Sequence, residues 1–79
     1  MHELGIAQSI LEAVDKEAAR HPGARPVKVG VRIGPMSGVN RESLSFCFEI
    51  AAGDEGLALD VEDGSADELD LKYIELEQA

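Results

Sequence analysis

The sequence predicts a small α/β (α+β) domain: a mixed three-stranded sheet with two helices packed on one face, in the order α-β-α-β-β. Three observations carry that expectation. Apolar residues recur at helical spacing over residues 3 to 20, they switch to strict alternation from Pro26, and Asp63-Gly64 marks a tight turn between the last two apolar runs. A strand-helix-strand crossover places its two strands parallel and winds right-handed, whereas a short turn sets the last two strands antiparallel, so the sheet is mixed. A chain of 79 residues buries only roughly 60% of the surface it exposes when unfolded. The core is therefore thin, and one helical layer on one small sheet fills it.

Leu4, Ala7, Leu11, Val14 and Ala18 alternate spacings of three and four, with Ile10 widening the stripe, which is the period of an amphipathic helix. Glu12, Asp15, Lys16, Glu17 and Arg20 fall mainly on the other side, and His21-Pro22-Gly23 stops the helix near Arg20 because proline lacks the amide that continuation needs. Val27, Val29, Val31 and Ile33 then share one face of a strand, with Lys28, Gly30 and Arg32 on the other. Gly34-Pro35-Met36-Ser37-Gly38 reads as a loop, and Asn40 is placed to accept the free amides that open a second helix from about Arg41 to Ala52. Leu44, Phe46, Cys47, Phe48, Ile50 and Ala51 make its apolar arc broad, as for a helix that lies on a sheet while touching another helix. Cys47 reads as a small buried hydrophobe.

Gly53-Asp54-Glu55-Gly56 ends that helix. Leu57, Leu59 and Val61 alternate with Ala58, Asp60 and Glu62 in a second strand. In the third, Leu69, Leu71 and Tyr73 share a face while Ile74 and Leu76 are in the opposite phase, so a bulge is expected near Tyr73 and Ile74. The outer face of the sheet carries Lys28, Arg32, Asp60, Glu62, Asp70 and Lys72.

A formal charge of −9, from sixteen acids against seven Lys and Arg, opposes attraction to nucleic acid or to an anionic membrane surface. One cysteine cannot form an internal disulfide, no secretory signal precedes the fold, and no apolar run approaches the roughly 20 residues that cross a bilayer. The cytoplasm is the expected compartment.

The chain begins Met1-His2-Glu3. An α-amine, the amide nitrogen of residue 2 and an imidazole are three nitrogen donors within two residues, suited to a tetragonal Ni(II) or Cu(II) ion. His21, beside Pro22-Gly23, reads as an exposed helix end. Glu62, Asp63, Asp67, Glu68, Asp70, Glu75 and Glu77 read as a solvated surface, because alternation spreads them. A Ser/Cys-His pair, a phosphate-cradling glycine loop and a carboxylate dyad are all missing, so the expectation is that the chain is not an enzyme.

Three segments in order resemble the HypA/HybF family of nickel-incorporation proteins for NiFe-hydrogenase maturation. They are Met1-His2-Glu3-Leu4-Gly5-Ile6-Ala7-Gln8-Ser9-Ile10-Leu11-Glu12, Val31-Arg32-Ile33-Gly34-Pro35-Met36-Ser37-Gly38-Val39 with Leu44-Ser45-Phe46-Cys47-Phe48-Glu49, and Glu68-Leu69-Asp70-Leu71-Lys72-Tyr73-Ile74-Glu75-Leu76-Glu77. The resemblance implies a metallochaperone that holds Ni(II) through its first residues and works with the GTPase HypB to deliver it to the hydrogenase large subunit, in some bacteria also serving urease. Carried over, the nickel ligands are the Met1 amine and the His2 amide and imidazole, with Glu3 offering its amide or carboxylate. Protons compete for such donors, so binding is expected to release them.

The sequence departs from the family at one place. HypA-like proteins carry a zinc subdomain with two Cys-x-x-Cys pairs between the second and third strands, and here only Glu62-Asp63-Gly64-Ser65-Ala66-Asp67 stands there. Residues 1–79 then form a single nickel-binding domain with an apparent splice near 62–67, engineered or natural, and zinc is not expected. A short replacement turn leaves a monomer or a domain-swapped dimer as the expected state. The alternative function is a protein-interaction module that docks on HypB or another maturation factor through the first helix or a sheet edge, with metal binding secondary.

Overall fold

In the computed structural model, which describes residues 2–53 and 56–78, the chain runs α1 (Glu3–Ala19), β1 (Ala24–Ile33), α2 (Arg41–Ala52), β2 (Ala58–Asp63) and β3 (Leu69–Gln78). The sheet order is β2-β1-β3, with β1 parallel to β2 and antiparallel to β3. This is the expected mixed sheet. The turn signal at Asp63-Gly64, however, does not fold β2 back onto β3. β1 lies between them, and the connection of residues 64–68 crosses the end of β1, where Gly64 N–H donates to the Ile33 carbonyl and Gly34 N–H donates to that of Glu68. The parallel crossover sets β2 against one edge of β1 over Lys28–Ile33, and β3 pairs with the other edge along Ala24–Ile33.

α1 follows its predicted span. Ala7, Ile10 and Val14 are buried, while Leu4 at one rim of the stripe is 44% exposed. α2 starts as read from Asn40, whose side-chain oxygen accepts Ser43 N–H at 2.8 Å. Its apolar arc is narrower than expected. Leu44, Phe48 and Ala52, each four residues apart, are buried in the core shared with α1 and the sheet, whereas Phe46 and Ile50 are 63% and 62% exposed. A thin two-layer core gives a helix one buried stripe, and the opposite side of α2 faces outward. Cys47 is half-buried at the margin of the core.

Val29, Val31 and Ile33 supply the sheet's share of the core. Val27 is only half-buried, because the register shifts between Pro26 and Lys28 and leaves it as an extra residue on β1. A second shift corrects the reading of the last strand. Val31 pairs with Leu71 and Gly30 with Tyr73, so Lys72 is the extra residue, and the bulge falls just before Tyr73 rather than after it. Leu69, Leu71 and Ile74 therefore share the helix side of the sheet, and Tyr73 crosses to the outer face.

There Tyr73 lies over Gly30, where a β-carbon would fall inside its ring, and its hydroxyl donates to Asp60 at 2.5 Å. The three residues tie all three strands at one level. The carboxylate of Asp60 accepting that bond, together with partial desolvation, pushes the phenol up to about 12 from its ordinary 10. A folded value above the unfolded one stabilises the fold fully below the unfolded value, and that stabilisation is lost as pH rises from about 10 to about 12. Ultraviolet titration of Tyr73, the only tyrosine, is expected to show phenolate forming near pH 12 in the folded chain and near 10 in denaturant. A folded-state midpoint at 10 would rule the cross-strand bond out.

Candidate metal centre

Of the sequence-predicted ligands, Glu3 opens α1 and His2 immediately precedes it. Met1 lies outside the described residues. His2 stands just before the helix with φ −140° and ψ 18°, and its side chain makes no capping hydrogen bond. The carbonyl of His2 accepts Ile6 N–H at 2.9 Å, closing the first helical turn. The amide nitrogens at a helix start have no carbonyl partner within the helix, so the His2 amide is not held by the helical ladder. The imidazole is exposed.

Glu3 behaves differently. It is 6% exposed, on the same stripe as Ala7, Ile10 and Val14, and its carboxylate accepts the Asn40 N–H at 3.1 Å. That bond joins the start of α1 to the start of α2. The Asn40 amide, and then the amide of Glu3 itself, hold the carboxyl below its ordinary value of 4.5. A lowered folded-state value contributes stability above the unfolded value and loses it as pH falls through the folded one. Glu3→Gln is therefore expected to lower the urea midpoint at neutral pH, and the gap should close in acid below about 4.5. An equal gap at both would assign the loss to packing alone.

His2 also borders an apolar groove of about 580 Å³ between α1 and β3, lined in part by Ile6, Ile10, Val31, Leu69 and Leu71. His21 stands beyond the other end of α1, about 25 Å away for 17 residues at roughly 1.5 Å each, with its Nε2 3.0 Å from Glu17. It cannot share a metal with His2. The acidic residues of the last segment are spread as expected: Asp63 pairs with Arg41, Glu77 with Arg25, and Glu68 accepts Ser65 N–H. Among the described residues, no three His, Cys, Asp or Glu side chains come together as a metal-holding group.

Two features escaped the sequence reading. The anchoring of Glu3 was visible only as an acid in phase with Ala7, Ile10 and Val14. The groove was visible only as the small residues Gly5, Ser9 and Ala13, one helical turn apart.

These elements define a class: a two-layer α+β domain whose first helix is pinned by an acid and preceded by an exposed histidine at the mouth of an apolar groove. Residues 1–76 match the family model described as hydrogenase/urease nickel incorporation, metallochaperone, hypA. The chain belongs to the HypA family. It is 39% identical over 66 residues to the hydrogenase maturation factor HypA of Psychromonas ingrahamii, covering 80% of this chain and 58% of that protein. It is 44% identical over 69 residues to that of Chlorobium limicola, covering 84% and 60%. The corresponding Escherichia coli protein is 36% identical over 70 residues, covering 85% and 60%. The chain thus spans some three-fifths of the length of these relatives. No solved structure matches it. No helix among the described residues is long and apolar enough to cross a membrane.

Proposed function

We propose that this chain holds Ni(II) at its amino terminus and passes it on during maturation of a hydrogenase or urease, as a cytoplasmic metallochaperone and not an enzyme. The observation that carries this reading is the placement of His2: an exposed imidazole with no hydrogen-bonded partner among the described residues, beside an amide outside the helical ladder, on a helix end that Glu3 fixes to Asn40. The family's printed description supports nickel as the cargo. The Met1 amine, the His2 amide and the His2 imidazole are the proposed donors. The buried Glu3 carboxylate accepts the Asn40 amide through Oε2, which gives it the task of holding the site in place, and the Glu3 amide remains a further proposed donor.

The positive end of the α1 dipole opposes a bound cation by a fraction of a kcal/mol to about 1 kcal/mol. A deprotonated amide and the nearby Glu3 charge offset that. An exposed, incompletely enclosed ion suits a carrier, because a recipient can replace its donors one at a time. The GTPase HypB and the hydrogenase large subunit are the proposed partners, and residues 1–79 the proposed nickel-binding unit.

Calorimetric titration of the untagged chain with Ni(II) tests the site. His2→Ala is expected to weaken binding by more than roughly 100-fold, since loss of an outer-shell partner alone costs about 10–100-fold in metal affinity. One residue added before Met1 should have a comparable effect. Unchanged stoichiometry and affinity in His2→Ala would sink the amino-terminal site.

A further inference from the structure

The helix side of the sheet is unevenly covered. Beside Ile6 and Ile10, the α1 residues that line the groove toward β3 are Gly5, Ser9 and Ala13, which supply little bulk, and Leu69 and Leu71 of β3 remain 43% and 38% exposed. The groove between them runs along an open sheet edge. β3 pairs with β1 alone among the described strands, so the outer N–H and C=O groups of Leu69–Gln78 have no strand partner. No proline blunts this edge, and its only lysine is Lys72.

We propose that the groove and the β3 edge together form a docking site for an extended segment of a partner protein in which apolar residues alternate with Lys or Arg. Side chains of a strand alternate between faces. A strand added beside β3 places every second residue next to Leu69 and Leu71, beneath the small residues of α1. The intervening residues fall on the outer face, where β3 carries Asp70 and Glu75 opposite Arg32 and Lys28, and where the chain as a whole has a charge of −9. Opposite charges across paired strands are favourable and like charges unfavourable, which selects a basic strand. The same rule opposes a second copy of this chain, because β3 against β3 sets Asp70, Glu75 and Glu77 against one another with one lysine each.

Main-chain bonds supply affinity in this mode of recognition, and the alternate pockets supply specificity. His2 borders the same groove, so a docked segment lies against the exposed imidazole. Its place in metal transfer rests on the nickel reading above. The docking itself does not.

The test uses the metal-free chain and a blocked nine-residue peptide of alternating lysine and valine. Binding is expected to be saturable, to shift the amide resonances of Gly5, Ser9, Ala13, Leu69 and Leu71, and to slow hydrogen exchange along the outer edge of β3. Methylating alternate peptide nitrogens, replacing its lysines by glutamate, or regrouping the same residues into a lysine block and a valine block should each weaken binding roughly tenfold or more. Ala13→Trp, checked for folding by circular dichroism, should do the same by filling the groove. The proposal is overturned if methylation and regrouping change nothing, if the shifts fall on β2 or α2, or if ultracentrifugation shows β3 already covered by a second copy. With no metal present, a failure of the nickel site leaves this outcome untouched, and a failure of docking leaves the His2 titration standing.

Discussion

Phe48→Ala is expected to unfold most of the population at modest urea concentration, lowering stability by about 3–5 kcal/mol. Phe48 is the largest of the fully buried side chains, at 2% exposure. It stands between Leu44 and Ala52 on the buried stripe of α2, in the same cluster as Val29, Val31 and Ile33. Domains of this length have total stabilities of roughly 4–12 kcal/mol at about 0.05–0.15 kcal/mol per residue. Losing one ring can therefore remove much of the margin. Phe46→Ala is the matched control. Phe46 is 63% exposed two residues earlier, and its loss should change stability by no more than about 0.5 kcal/mol. Urea midpoints of the two variants decide the phase of α2 directly, and equal effects would contradict the packing described above.

That pair of residues also shows where sequence reasoning reaches its end. Period and capping located α2 to the residue, because Asn40 is a strong helix opener and Leu44, Phe48 and Ala52 carry the 3.6-residue period. The same apolar content suggested a wide buried arc, and only the thinness of a two-layer core decides that Phe46 and Ile50 stay outside. The third strand was legible as a conflict of phase, and a bulge as its resolution. Its position was not legible, since it depends on Tyr73 finding the bare backbone of Gly30 and the carboxylate of Asp60 on a different strand. The turn at Asp63-Gly64 was read from local chemistry alone, and local chemistry does not say which strand will lie between the two it reverses.

The candidate site divides in the same way. The exposed donors of His2 follow from covalent structure, so the sequence makes them visible. The dual position of Glu3, next to the proposed ligand and yet part of the packing between α1 and α2, comes from a bond 37 residues away in sequence. This bond gives the start of α1, where a helix ordinarily frays, a fixed point of attachment on the start of α2. Metal affinity in Glu3→Gln should accordingly fall less than in His2→Ala, since the donors remain and only their placement loosens.

Gly34→Ala is the second large effect. Gly34 follows the last residue of β1, and the connection from β2 to β3 passes directly over it. A β-carbon there would lie inside the contact distance of the Ala66 and Ser65 carbonyl oxygens, which are main chain and cannot turn aside as a side chain can. The same crossing is held by three backbone bonds: Gly34 N–H to Glu68 at 2.8 Å, Met36 N–H to Ala66 at 2.8 Å, and Gly64 N–H to Ile33 at 3.0 Å. Overpacking costs about 1–3 kcal/mol, and each bond weakened by the displaced segment adds about 0.5–1.5 kcal/mol. The expected loss is about 3 kcal/mol or more. Gly38→Ala makes the comparison sharp, because Gly38 has open space around it and only its φ of 80° resists a side chain. It should cost about 1–2 kcal/mol. If thermal or urea unfolding ranks Gly38→Ala as the more damaging, the connection of residues 64–68 does not cross β1 as closely as the structure places it, and the order β2-β1-β3 loses its tightest steric support.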